Sequence, residues 1–158
     1  MQYFKKADGG IYRTDSTSPM EANDQLASEV EISHYLLQHN INEAYARVNI
    51  GFEFSMQGIV DTYPRYEIDS WSKQEAEARA FVVDASTVTP LIDALALARD
   101  IPKVDLVDRI ILKADAFAAF SGQLIGKRQS YEDQINQIVD SEVSLESKLE
   151  SIDAIVWQ

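Results

Sequence analysis

The spacing of its apolar side chains constrains this chain more than any other feature. From Met20 onward they recur at steps of three, four and seven residues, the repeat of a helix face, and not at two. A stripe of that period has to be buried against something, so most of the chain is committed to packing helices. Leu26, Val30, Leu37 and Ile41 make a first stripe, with Glu21, Asp24, Glu29 and Glu31 between them. Ser18 and Pro19 read as its start, and His39 with Asn40 as its end or a bend. A second stripe joins Ile41, Tyr45, Val48, Phe52, Met56, Ile59 and Val60. Gly51 and Gly58 weaken it, and residues 49–54 also read as a strand. Pro64 closes the segment, because the residue before a proline is pushed out of the α region.

Later starts are clearer. Asp69 or Ser70 is placed to cap a helix over Trp71–Val83, rich in Ala, Glu, Gln and Arg. Residues 84–88 connect it to a helix opened by Thr89-Pro90, whose buried stripe reads as Leu91, Leu95 and Ala98 and which ends near Asp100. Ile101-Pro102 is a break. Leu106, Ile110, Lys113, Phe117 and Phe120 then mark a longer helix, and Ala114, Ala116, Ala118 and Ala119 would allow close helix contact. Residues 121–126 extend it, and 129–139 carry it on with Ile135 and Ile138. Ser144 caps a last helix with Leu145, Leu149, Ile152 and Val156 inward and Trp157 at its end.

Only the first residues depart from this period. Gln2–Lys5 and Ile11–Thr14 are strand-like, and Asp8-Gly9-Gly10 supplies a turn tolerant of positive φ. A lone hairpin is marginal, so it must dock on something else. The expected fold is mainly α: a multi-helix bundle or an extended helical array behind a short β-hairpin. We divide it into a hairpin and linker (1–18), a helical segment of unassigned role (19–62), and a helical module with an acidic last helix (63–158).

Composition narrows the function. A 46% hydrophobic share supports a true core, while a formal net charge of −12 opposes binding to nucleic acid or to an anionic membrane surface. Acidity of this degree suits solubility or a partner with a basic face. With no cysteine, disulfides and thiolate metal sites are excluded. Neither a signal-peptide pattern nor an apolar run of roughly 20 residues is seen, so a cytoplasmic protein is expected.

Few residues suggest chemistry. His34 and His39, five apart, lie about 500° around a helix, off the shared face that paired metal ligands need; solvated histidines are expected. Gly122-Gln123-Leu124-Ile125-Gly126-Lys127-Arg128 is like a phosphate loop but is one residue short, with Arg128 where a Ser or Thr belongs. Its small residues instead suit a helix crossing or bend. Acidic pairs such as Glu75/Glu77 and Glu132/Asp133 read as solvated helix faces. No cofactor, no metal and no catalytic group is expected, and the chain is read as a non-enzyme. The candidate protein-binding residues are Tyr63, Tyr66 and Trp71 around Pro64, and Leu149, Ile152, Val156 and Trp157 on the last helix. For Trp71 the alternative is that it covers one end of the core.

Two stretches carry a resemblance. Met1-Gln2-Tyr3-Phe4-Lys5-Lys6-Ala7-Asp8-Gly9-Gly10-Ile11-Tyr12 resembles the opening of small phage tail fibre assembly proteins. Tyr63-Pro64 onward, with the pattern Trp71, Gln74, Glu77-Ala78, then Thr89-Pro90-Leu91-Ile92-Asp93, Ala98-Arg99, and Gly122, Gly126 and Gln129, resembles a helical module of phage and prophage tail proteins. The match covers about 63–140, and 1–14 more loosely; 20–61 has no counterpart. The resemblance implies a tail fibre assembly chaperone or adaptor in the host cytoplasm, with a tail fibre or other tail protein, or a further copy of itself, as partner. A minor virion component of the tail is the first alternative. An acidic host-directed inhibitor that mimics nucleic acid is the second.

Overall fold

A computed structural model describes residues 2–14 and 23–158. The expected linker at 15–19, with its helix start at Ser18 and Pro19, lies outside them. Among the described residues the order is β1 (Gln2–Lys5), β2 (Ile11–Thr14), β3 (Gln25–Leu26), α1 (Glu29–Val60), α2 (Arg65–Ile68), α3 (Trp71–Val83), α4 (Pro90–Arg99), α5 (Lys103–Asp140) and α6 (Leu145–Asp153). The fold is mainly helical with a short β element at its start, as the periodicity predicts.

The expected hairpin forms, with Gln2 opposite Thr14 and Lys5 opposite Ile11, around Gly9 at φ 89°. Its support is now visible. A third strand pairs antiparallel on the other side of β1, so Leu26 belongs to the sheet and not to the first helical stripe. Phe4 is buried, Tyr12 donates its hydroxyl to Asp24, and Tyr3 meets Tyr35 of α1 edge-on at 5.9 Å. Lys5 Nζ lies 2.5 Å from Glu31 Oε1. Glu31 also accepts from the Ser28 amide at 2.9 Å, and its own amide donates to Ser28 Oγ at 3.3 Å. Ser28 and Glu31 therefore close a capping box that starts α1 at Glu29. The Lys5 ammonium, with the Ser28 amide and hydroxyl, lowers the Glu31 carboxyl to about 2.

From there α1 runs unbroken for 32 residues, through His39, Asn40 and the 49–54 stretch. The expected end at His39-Asn40 and the strand alternative are both corrected. Asn40 turns its amide back on Leu36 O at 3.0 Å, so it satisfies its own helix instead of ending it. The apolar face also continues without a gap: Leu37, Ile41, Ala44 and Val48 all enter one cluster. Burying that face outweighs propensity costs of a few tenths of a kcal/mol per residue.

Two compact units result: Met1–Gly51 with Arg128–Gln158, and Phe52–Lys127. The stretch 63–158 contributes to both. In the first unit, Ala44 and Val48 of α1, Ile135 of α5, Ile152 of α6 and Ile155 form the core, flanked by Tyr45, Tyr131, Ile138 and Trp157. In the second, Ala78, Ile92, Ala96, Leu106 and Val107 form it, flanked by Phe81, Leu95, Ile110 and Ile111. Each fully buried isoleucine adds about 1.5–3 kcal/mol. The α4 stripe thus centres on Ile92, Leu95 and Ala96, while Ala98 is exposed. On α5, Ala116, Ala118 and Ala119 are exposed too, and a Cβ at Gly122 or Gly126 would meet nothing within 4 Å. A close helix crossing therefore does not explain these small residues.

Candidate interaction surfaces

Helix starts position the second unit's surface, and two of them differ from expectation. Ser70 makes no side-chain cap; its hydroxyl donates to Glu67 O at 2.7 Å, and α3 follows directly from the α2 turn. Thr89 does not cap α4 through its side chain either. Glu77, buried on α3, does so from a distance: Leu91 N and Ile92 N donate to its Oε2 at 3.0 and 3.1 Å. A carboxylate there suits both the orphan amides of a first helical turn and the positive end of the helix dipole. Lys73 Nζ, 3.3 Å from Oε1, faces the other oxygen. Glu77 is therefore a buried structural carboxylate and not part of a solvated acidic face.

Around this frame stand the aromatic residues. The Tyr63 ring meets Trp71 edge-on at 5.1 Å, Trp71 meets Phe117 edge-on at 5.7 Å, and the Lys113 ammonium sits 5.7 Å above Tyr63. Edge-to-face pairs of this kind add about 0.5–1.5 kcal/mol beyond their buried area. Tyr63 and Trp71 are half-buried in this file, whereas Tyr66 on the α2 turn is 86% exposed.

The end of α3 and the connection to α4 are more apolar than a solvated surface requires. Val82, Val83 and Val88 are 63%, 88% and 82% exposed, three valines within seven residues. Asp84 accepts from the Ser86 amide at 2.8 Å and hydroxyl at 2.7 Å, which fixes the turn. Those two bonds, the hydroxyl first, hold the Asp84 carboxyl below its usual range. At the opposite end of α4, an open groove is lined by Asp93, Leu97, Asp100, Ile101 and Lys103 among others. Lys103 pairs with Asp93 at 2.7 Å, lowering that carboxyl, and lies 4.4 Å over Phe81. Arg79 joins Asp115 and Glu75 at 2.5 and 2.8 Å; both carboxylates, Asp115 first, raise the guanidinium further.

In the first unit, Ser144 caps α6 as expected, its side chain accepting from Ser147 N. Four apolar residues were expected on one face, and they part company. Ile152 is fully buried against α1 and α5, Leu149 is half-buried, and Val156 is exposed. Because α6 stops at Asp153, the helical period stops too, and Ile155 takes the inward place assigned to Val156. Arg47 closes the end of α6, donating to Ile152 O at 3.1 Å and Ile155 O at 3.3 Å. Trp157 is half-buried, tilted over Tyr131 at 5.8 Å and set against Gly51 of α1. A Cβ on Gly51 would overlap the Trp157 Cβ and Cγ and come within 2.7 Å of Cδ1. The glycine is a socket for the indole.

His34 and His39 are both exposed, and the His39 ring stacks on Tyr35 at 5.9 Å. Among the described residues no cluster of three or more His, Cys, Asp or Glu is arranged to hold a metal ion. No helix of the described residues is long and apolar enough to cross a membrane.

Residues 112–157 match a family model described as the HI1402 helical domain. The matched stretch takes in most of α5, the turn after it, α6 and the residues up to Trp157. No curated protein and no solved structure matched the chain.

Proposed function

We propose that this chain is a non-enzymatic assembly factor that binds other proteins, and that its partners are phage tail proteins, tail fibre subunits first. The observation that carries the protein-binding part is the exposed valines at the end of α3 and in the connection after it, Val82, Val83 and Val88. Scattered exposed apolar residues are ordinary; three within seven residues, on either side of a turn fixed by Asp84, are what a contact surface needs. Tyr66, bare beside the Tyr63–Trp71 file, adds an aromatic anchor of the kind that dominates interface energetics.

The tail part of the reading is supported by the residue pattern running from Trp71 through Gln129 and by the opening hairpin sequence. In this reading the chain acts in the host cytoplasm, covering apolar surface on a fibre subunit while the fibre forms. The test is co-expression with the tail fibre subunit of the same phage or prophage, followed by co-purification. Wild type should retain the subunit, and Val83→Asp with Val88→Asp should release it with the melting temperature unchanged. Retention by both proteins alike would remove the valines from the account. Stable presence in purified virions would instead make the chain a tail component.

A further inference from the structure

We propose that the open groove at the C-terminal end of α4 is a second docking site, and that it takes an arginine set between apolar residues of a partner protein. This rests on the protein-binding reading and deepens it, naming the chemistry of what binds at a place apart from the valines. Most of the lining is apolar: Ala96, Leu97, Ile101 and Pro102. Leu97 is 84% exposed, so its side chain is free to meet an incoming apolar group. The rest of the lining is charged, and consists of Asp93, Asp100 and Lys103.

Charge selects the occupant. Lys103 is already engaged, 2.7 Å from Asp93 and 4.4 Å over the Phe81 ring. Asp100 is exposed and has no ion pair among the described residues; Arg99, its neighbour in the chain, does not line the groove. The lining therefore holds one carboxylate that its own base leaves unmatched. That carboxylate also does little for the fold. Asp100 has φ 51° and ψ 49°, the left-handed conformation that glycine adopts most readily after a helix. Its amide donates to Leu97 O at 3.3 Å and the Ile101 amide to Ala96 O at 3.1 Å, bonds that need no side chain. A helix end favours a cation, yet here a negative charge stands at the negative end of α4. An unmatched carboxylate among apolar walls calls for a cation that tolerates apolar contact. A guanidinium does so: it is planar and weakly hydrated, and it donates two parallel N–H bonds to one carboxylate. Flanking apolar residues would lie on Leu97 and Pro102, and an acidic segment would be repelled.

The test uses the full chain and three synthetic peptides: one with an arginine between leucines, one with glutamate in place of the arginine, and one with serines in place of the leucines. Backbone amide shifts of the protein are followed by NMR, and affinity by titration calorimetry. The arginine–leucine peptide should shift Asp93, Ala96, Leu97, Asp100, Ile101 and Lys103, and the other two should bind at least about tenfold more weakly. Asp100→Asn keeps a residue suited to the left-handed backbone and removes only the charge. It should weaken binding about fivefold at low salt while melting at or above the wild-type temperature. Leu97→Ala, a change at an exposed helix position, should weaken it at least about threefold. Shifts spread over every acidic surface, equal binding of the glutamate or serine peptide, or an Asp100→Asn protein that binds like wild type would each overturn the site. Concentration-dependent shifts at the same residues in the protein alone would give the groove to a second copy, and would overturn it too. Fibre capture is scored separately. Should the peptide bind while capture fails, the tail reading falls and this site stands; the converse removes the site alone.

Discussion

Replacing Gly51 by alanine sets two opposed effects against each other. Within a helix the change should stabilise by about 1 kcal/mol, since glycine carries the larger entropy loss. Here the new methyl would overlap the Trp157 Cβ and Cγ, atoms too near the backbone to swing aside, so the indole must leave its socket. A tryptophan buries about 150–250 Å² when fully covered; with roughly 130 Å² of it buried, at about 25 cal/mol per Å², eviction costs about 3 kcal/mol. The net expectation for G51A is destabilisation by about 2 kcal/mol, read by urea unfolding. A red shift of tryptophan emission should accompany it, over a constant contribution from Trp71. Once Trp157→Ala has emptied the socket, the same glycine replacement should reverse sign and stabilise by about 1 kcal/mol. If G51A raised stability with Trp157 present and left the emission unshifted, the socket argument would be refuted.

Other perturbations follow from the same structure. Glu77→Ala removes the shared acceptor of Leu91 N and Ile92 N and should cost about 2–4 kcal/mol in chemical unfolding, with Glu77→Gln losing less because an acceptor oxygen remains. Ser144→Ala should cost about 1 kcal/mol and speed amide exchange at Ser147. Glu31 has a folded-state carboxyl at about 2, below its ordinary 4.5, so its contribution is present above 4.5 and lost as pH falls towards 2. An acid titration of Tm should therefore be shallower over that window in Glu31→Gln than in wild type; identical slopes would disprove the linkage.

Elements with strong local punctuation were legible from residues alone. Asp8-Gly9-Gly10, Thr89-Pro90, Ile101-Pro102 and Ser144 each mark a boundary through backbone chemistry that acts within a few residues, and the helix or strand beside each is present. The start of the first helix is harder to read. Its Ser28-to-Glu31 capping box has the Ser-x-x-Glu pattern, but Leu26 at helical spacing hides a two-residue strand just before it. His39-Asn40 also looked like a stop, yet continued burial of one apolar face carried the helix through. Glu77 was out of reach for another reason. Its partners lie 14 and 15 residues away, and nothing in a row of polar helix residues distinguishes the one that the fold turns inward. The same holds for Gly51, whose use is set by an indole more than a hundred residues later in the chain. Exposed valines leave no trace in a periodicity argument, because only tertiary packing decides which apolar residues stay uncovered.

The most direct test of the whole account is capture of a partner through the α3–α4 valines. A tagged tail fibre subunit, co-expressed with this chain, should bring it down in a fixed ratio, and V83D/V88D should abolish that recovery while unfolding at the same temperature as wild type. A fibre subunit that folds, assembles and purifies without retaining any of the wild-type chain would contradict the account.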